Sequence, residues 1–235
     1  MSPGELYGNK RNAGDSASGS LRRNTVTEED YLKIIDELTG YKGFASFSDI
    51  SHKLGVRRQS ARDEINRLMI FQLIEKKGKG KYALTDNGKR EANIFLRKHR
   101  TAEILLNKCI GIPWEDVDEQ AMGIEHGMTE EIIKNTLNRF GSTKCPHGNP
   151  IPDENGFVVM PEDTDVSVLK GEYNVVLSRV IYETRDILQY LSSLGLYPGS
   201  QTKFINDGKY FFEIGGKRIQ VSSDIIKAVR FTIVK

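Results

Sequence analysis

The sequence predicts a mainly α-helical chain that ends in a small β domain. Three observations point to this. Helical stripes with capping residues run from Thr27 to Phe140, four of the seven prolines gather in residues 141–169, and five short strand patterns follow. With 235 residues the chain suits one large domain or two to three small ones.

Residues 1–24 are rich in Gly, Ser and Asn and read as a disordered tail. Lys10, Arg11, Arg22 and Arg23 within it also suit a basic arm reaching toward DNA. Thr27 is a good N-cap for the first helix, and Glu28, Glu29 and Asp30 place negative charge in its first turn. Tyr31, Ile34, Ile35 and Leu38 form its apolar stripe, and Gly40 marks its end. A second helix is expected from Ser48 as N-cap to Leu54, followed by a break at Gly55. A third spans about 57–71, with Ala61, Ile65, Leu68 and Met69 facing inward. Its other face carries Arg57, Arg58, Gln59, Ser60, Arg62 and Asn66, side chains able to bond phosphates and base edges. Residues 73–85 read as a hairpin with Lys79 and Lys81 at a glycine-containing turn. Three helices followed by a basic hairpin make a winged helix-turn-helix, assigned to residues 25–90.

A long helix is expected from Thr85 or Asp86 to Cys109, with Gly111-Ile112-Pro113 ending it and Cys109 buried beside Leu105 and Leu106. Two more are expected at about 115–129 and 130–140. They complete a helical domain at 91–152, placed where helices after a wing often supply a dimer interface. Residues 153–169 read as a linker. Beyond it, strands at 173–180, 202–206, 210–214, 217–221 and 228–233, with a helix at 184–194, predict an SH3-like barrel at 170–235.

Net charge is only +2, but it is unevenly spread. Residues 53–100 hold 14 basic and 5 acidic side chains, whereas residues 113–140 hold 7 acidic and 2 basic ones. The first block suits a polyanion and the second suits cations. Two cysteines, Cys109 and Cys145, exclude a multi-disulfide framework and a four-cysteine zinc site. With no apolar run approaching a bilayer span and no signal-peptide core, the expectation is a reduced, cytoplasmic protein with no membrane partner.

Two patterns in the helical region carry metal-ligand types. His99 and Glu103 stand four residues apart, as do Met122 and His126, with Glu125 and Asp118 nearby. Imidazole, carboxylate and thioether together suit a divalent transition metal better than calcium or magnesium. Each pattern alone is common: His-x-x-x-Glu is usually a surface pair, and Met122 is by default a core residue.

Thr27–Leu38, the run from Arg97 to Glu103, Glu125-His126 and Gly148–Pro152, in this order behind a winged helix, resemble the iron-dependent regulator family, which includes the diphtheria toxin repressor and the manganese transport regulators. The resemblance covers nearly everything from residue 25. It implies a metal-activated, homodimeric repressor that binds double-stranded operator DNA and controls metal homeostasis. It also implies two metal positions. The primary one takes Asp30, Met122, Glu125 and His126. The ancillary one takes His99, Glu103 and Asp118, with Glu183 and Asp186 reaching back from the barrel. Asp118 stands where iron-type members have His. Asp30 is manganese-like, whereas the thioether of Met122 argues mildly for Fe(II). Lys33 occupies a place where manganese-type members put a further carboxylate, which argues against their two-metal cluster. Fe(II) is therefore the expected activator, with Mn(II) the alternative and Co(II), Ni(II) or Zn(II) able to bind in vitro.

Cys145-Pro146-His147 could also bring two ligands together, but reads as a structural connector. His52 reads as exposed. A metalloenzyme is a competing class, yet the chain has no HExxH and no nucleophile elbow. A winged-helix regulator that senses a small molecule or protein through its barrel is the other.

Overall fold

The computed structural model describes residues 27–234, so the basic arm and tail expected at residues 1–24 lie outside the described residues. Helix α1 (Glu28–Lys42) begins in a capping box: Thr27 receives the Asp30 backbone N–H, and the Asp30 carboxylate accepts from the Thr27 backbone N–H at 2.6 Å. It runs past Gly40 and stops at Gly43, whose φ of 82° favours glycine. A two-residue strand β1 (Ala45–Ser46) leads into α2 (Phe47–Lys53). The N-cap of α2 is Ser46, not Ser48, because pairing of β1 with the hairpin already holds Ser46 extended. Helix α3 (Arg58–Ile70) and the strands β2 (Ile74–Gly78) and β3 (Lys81–Leu84) complete the winged helix, with sheet order β1-β3-β2. Its core joins Leu32, Ile35 and Leu38 of α1 to Ile50, Ile65, Leu68 and Ile74.

Helix α4 (Asp86–Leu105) leaves the wing through the N-cap Thr85 and continues into a single π turn, Leu106–Ile110. That wider turn breaks the α spacing from Leu105, so Cys109 leaves the apolar face and is exposed, contrary to expectation. The single helix expected over 115–129 is absent. Helix α5 (Val117–Ala121) ends at once, backbone bonds tighten to i→i+3 around Gly123 and Ile124, and Glu125–Gly127 form a 3-10 turn. Met122 and His126 therefore do not share a helical face. Helix α6 (Glu130–Phe140) starts at its own cap, Thr129, and packs Ile133 against Ala102, Val117 and Ala121.

Beyond α6 the chain is ordered by specific contacts. Residues 144 to 150 form a small loop closed by a Lys144–Pro150 bridge. Gly148 there has φ +86°, and a Cβ on it would meet the Ser178 carbonyl oxygen at 2.3 Å, so only glycine lets the loop lie on the sheet. The stretch expected as a linker also contributes to the barrel: Thr164 pairs with Phe231 and Val166 is fully buried in the C-terminal core. The strands β4 (Gly171–Val180), β5 (Gln201–Asn206), β6 (Tyr210–Ile214), β7 (Lys217–Val221) and β8 (Val229–Ile233) form one antiparallel sheet in the order β7-β6-β5-β4-β8. The last strand returns beside the first, as in an SH3-like barrel. Helix α7 (Arg185–Ser193) follows β4, and a short helix α8 (Ser223–Ala228), which the periodicity did not predict, precedes β8. Phe204, Phe212 and Phe231 fill the centre. The barrel docks on the winged helix where Tyr182 stacks on Tyr41, ring centroids 4.3 Å apart, and Lys53 lies over the Tyr182 ring.

Candidate metal centre

Three groups of metal-ligand side chains lie in a row along α4. In each, the possible ligand atoms fall within 4.8 Å of one another. The first group is Asp30, Glu125 and His126. Asp30 faces inward from the first turn of α1. One of its oxygens is held by Thr27, and Oδ1 lies 3.1 Å from His126 Nε2. The other ring nitrogen of His126 faces Glu29 at 3.2 Å, and the ring packs on Phe95 of α4. His126 is open to solvent while Glu125 is buried. Met122 closes α5 one turn earlier and is 42% exposed, so it is not a core residue.

The second group is His99, Glu103, Asp118 and Glu183. The i, i+4 pair on α4 is buried, not a surface pair. His99 Nε2 lies 3.1 Å from Asp118 Oδ1 and 3.6 Å from Glu103 Oε1. Its Nδ1 contacts Glu125 Oε2. Carboxylates at both ring nitrogens favour the imidazolium. Burial and the charge of Lys33 oppose it, but the hydrogen bonds to Asp118, Glu103 and Glu125 prevail and hold the pKa well above the ordinary histidine value. Asp118, despite burial, is held at about 2, first by Lys33 and then by His99.

Lys33 is the surprise of this region. It projects from α1 and is 3% exposed. Its ammonium is 3.0 Å from His99 Nδ1 and 3.3 Å from Nε2. An in-plane hydrogen bond to one nitrogen would leave the other well beyond reach, so the ammonium lies over the ring face. Glu125 Oε2 is 3.6 Å away and Asp118 Oδ1 4.0 Å.

The third group is Glu103, Cys145, His147 and Glu183. Here the loop read as a connector delivers two ligand types. His147 Nε2–H donates to the Trp114 carbonyl at 2.9 Å, which leaves Nδ1 facing Glu103 Oε1 at 2.8 Å and Glu183 Oε2 at 3.3 Å. Burial works against the charged ring, but Glu183 and Glu103 raise the His147 pKa well above its ordinary value. Burial and Glu103 push the Cys145 thiol up to about 12. The second oxygen of Glu103, Oε2, is buried with no hydrogen-bond partner. A buried carboxylate oxygen without a hydrogen bond among imidazole, thiol and carboxylate groups fits a cation site. The donor set fits a divalent transition metal. Asp186, expected here, is exposed in the first turn of α7, three residues past Glu183 and outside all three groups. The signal for Cys145 and His147 was their spacing of two residues in a Pro/Gly loop.

Arg57, Arg58, Gln59, Ser60 and Arg62 are all exposed on the first half of α3 and just before it. Lys79 and Lys81 are exposed on the hairpin, Lys81 over the Phe44 ring at 4.0 Å.

Residues 85–153 match the family described as iron dependent repressor, metal binding and dimerisation domain. The crystal structure of IdeR from T. acidophilum is 54% identical, aligns over 90% of this chain and all of that one, and superposes with a TM-score of 0.87. The chain belongs to the iron-dependent repressor family. Within this repressor family, the iron-dependent repressor IdeR of Mycobacterium bovis is 32% identical over 127 residues. That match spans 54% of this chain and about half, 55%, of the mycobacterial protein. The diphtheria toxin repressor of Corynebacterium efficiens is 26% identical across 87% of this chain and 94% of its own length. The manganese regulator SloR, 25% identical over 90% of this chain and all of its own, superposes with a TM-score of 0.77. Family membership thus rests on both the helical domain and the whole architecture.

Proposed function

We propose that this chain is a metal-activated repressor that binds operator DNA as a homodimer in the cytoplasm, with Fe(II) as its activating metal. The observation that carries the reading is the approach of His126 to Asp30. One residue belongs to the first helix of the winged helix, the other to the helical domain. An ion held by both would tie the two together. Met122 and Glu125 complete that set. His99, Glu103, Asp118 and Glu183 supply the second one, in which Glu183 brings the barrel to α4, and Cys145 and His147 form a neighbouring group with the same Glu103 and Glu183. A divalent ion held by these residues would supply positive charge to the carboxylates in place of protons on the histidine rings. The protein then holds the angle between α1 and α4, and with it the distance between the two α3 helices of the dimer. Successive major grooves lie roughly 34–36 Å apart, so a loose hinge costs DNA affinity. By linkage, operator DNA tightens metal binding by the same factor.

Arg57, Arg58, Gln59 and Ser60 contact the DNA, with Arg62 and Lys79 or Lys81 on phosphates. No helix among the described residues is long and apolar enough to cross a membrane. Sulfur at Met122 and Cys145 favours Fe(II) over Mn(II). The oxygen-rich set of Glu103, Asp118 and Glu183 around one imidazole favours the second reading, an Mn(II)-responsive repressor. The test is an anaerobic gel shift on operator DNA with Fe(II) and Mn(II) at matched free concentration. Metal-independent binding by the wild-type protein would overturn the reading, and a response to Mn(II) alone would select the second.

A further inference from the structure

The buried lysine beneath the metal-ligand groups needs a role, since a lysine with only 3% of its surface exposed is kept only where anions compensate it. Lys33 finds them in Glu125 and Asp118, at 3.6 and 4.0 Å, and it rests on the face of His99. It lies one helical turn past Asp30, so α1 sends both an anion and a cation toward the same ligand row. The two contacts differ in kind. Asp30 meets His126 at the solvent-facing end, whereas Lys33 meets His99 of α4 and Asp118 of α5 in the interior.

We infer that Lys33 is a resident cation of this site: its ammonium neutralises Glu125 and Asp118 in the metal-free protein, holds α1 against α4, and raises the free metal concentration at which the His99 group fills. This rests on the metal-activated reading above. A divalent ion that takes His99 Nε2 and Asp118 as ligands must share their charge with an ammonium 3.3 Å and 4.0 Å from those same atoms. Like charge at that range opposes binding in a buried setting, where water screens little. Lys33 cannot swing out to make room, because it is enclosed and its stem is part of the packed face of α1. It therefore acts as a positioning and threshold residue, not as a ligand.

The experiment is a Co(II) titration of the full chain against a competing chelator, read by the visible absorption of bound Co(II). Wild type is compared with Lys33→Met and Lys33→Arg, and the metal-free melting temperature is measured for each. Lys33→Met is expected to fill its weaker position at tenfold or more lower free Co(II) and to melt lower when metal-free. Lys33→Arg, which keeps the charge, should stay near wild type in affinity. A lysine that merely supports the fold would give the opposite sign, weaker Co(II) binding on removal, and that result or an unchanged affinity overturns the inference. Should Lys33→Met fail to fold, Lys33→Met/Asp118→Asn loses one charge of each sign and is compared with Asp118→Asn alone, under the same expectation. Wild type binding no Co(II) would remove the metal-activated reading itself, whereas normal wild-type binding with no effect of Lys33→Met removes only this inference.

Discussion

Glu125 and His99 meet through Oε2 and Nδ1, while the other oxygen of Glu125, Oε1, lies 4.0 Å from His126 Nε2. One buried carboxylate therefore serves two ligand groups. It stands beside His126 in the first and fixes the ring of His99 in the second, so that Nε2 is the nitrogen turned toward Glu103 and Asp118.

Glu125→Gln keeps the shape and loses the shared charge. Metal affinity should fall at both positions, by about 10–100-fold at the His99 group where Glu125 acts only as an orienting partner. Chelator competition with Co(II) checks this; a loss confined to one position would mean the carboxylate is not shared.

His126→Ala removes the contact between α1 and the 3-10 turn at its solvent-facing end. Metal-free stability should change by less than about 1 kcal/mol, as expected for part-exposed side-chain contacts. Stimulation of DNA binding by metal should be lost. Thermal melts and gel shifts on the same preparation separate the two effects, and a stimulation equal to wild type would exclude His126 as a ligand.

The pH dependence follows from the direction of the histidine shifts. The carboxylates facing His99 and His147 raise both rings in the metal-free protein, so protons compete with metal for Nε2 and Nδ1. Metal affinity should therefore rise with pH, with release of protons on binding, measurable by calorimetry in buffers of different ionisation heat. For the metal-free fold the sign is reversed. The stability from these charged rings is complete below the ordinary histidine pKa of about 6.5 and is lost as pH rises through the raised values. Glu103, held well below its ordinary value, contributes above about 4.5, and that contribution is lost as acid titrates it.

Trp114 is the single tryptophan, and its ring lies against His147 at 5.0 Å. Its fluorescence should be quenched when Co(II) or Fe(II) is added. His147→Ala should remove the response while leaving metal binding near His126 intact. Quenching that persists in His147→Ala would mean the third group does not take metal.

Arg62→Ala should weaken binding to specific and non-specific DNA alike and lower the salt slope by about 0.9, the value for one phosphate contact. Equal slopes for variant and wild type would remove Arg62 from the phosphate-contacting set.

The winged helix was legible because its signals are local: the Thr27 cap, the stripes of α1 and α3, and the glycine turn of the hairpin. His99 and Glu103 were legible for the same reason, being one turn apart on a long helix. Glu125 and His126 were picked out by helical spacing and by resemblance; the spacing fails, because α5 ends at Ala121 and Glu125–Gly127 form a 3-10 turn. Cys145 and His147 were under-read. Their meeting with Glu103 and Glu183 depends on a loop pressed to the barrel through Gly148, a long-range contact that no periodicity records. The burial of Lys33 was invisible for a related reason. Sequence marks lysine as a surface residue, and only the folded charges of Glu125 and Asp118 make the interior tolerable to it.

The stack of Tyr182 on Tyr41 has a geometric consequence. Tyr182 and Glu183 are neighbours, about 3.8 Å apart along the backbone, yet one rests on α1 and the other stands among His147 and Glu103. The dipeptide carries one side chain to the C-terminal end of α1 and the other to the His147 group, while Asp30 faces His126 from the first turn of the same helix. Both ends of α1 therefore sit beside a ligand group, with the packed middle of the helix between them.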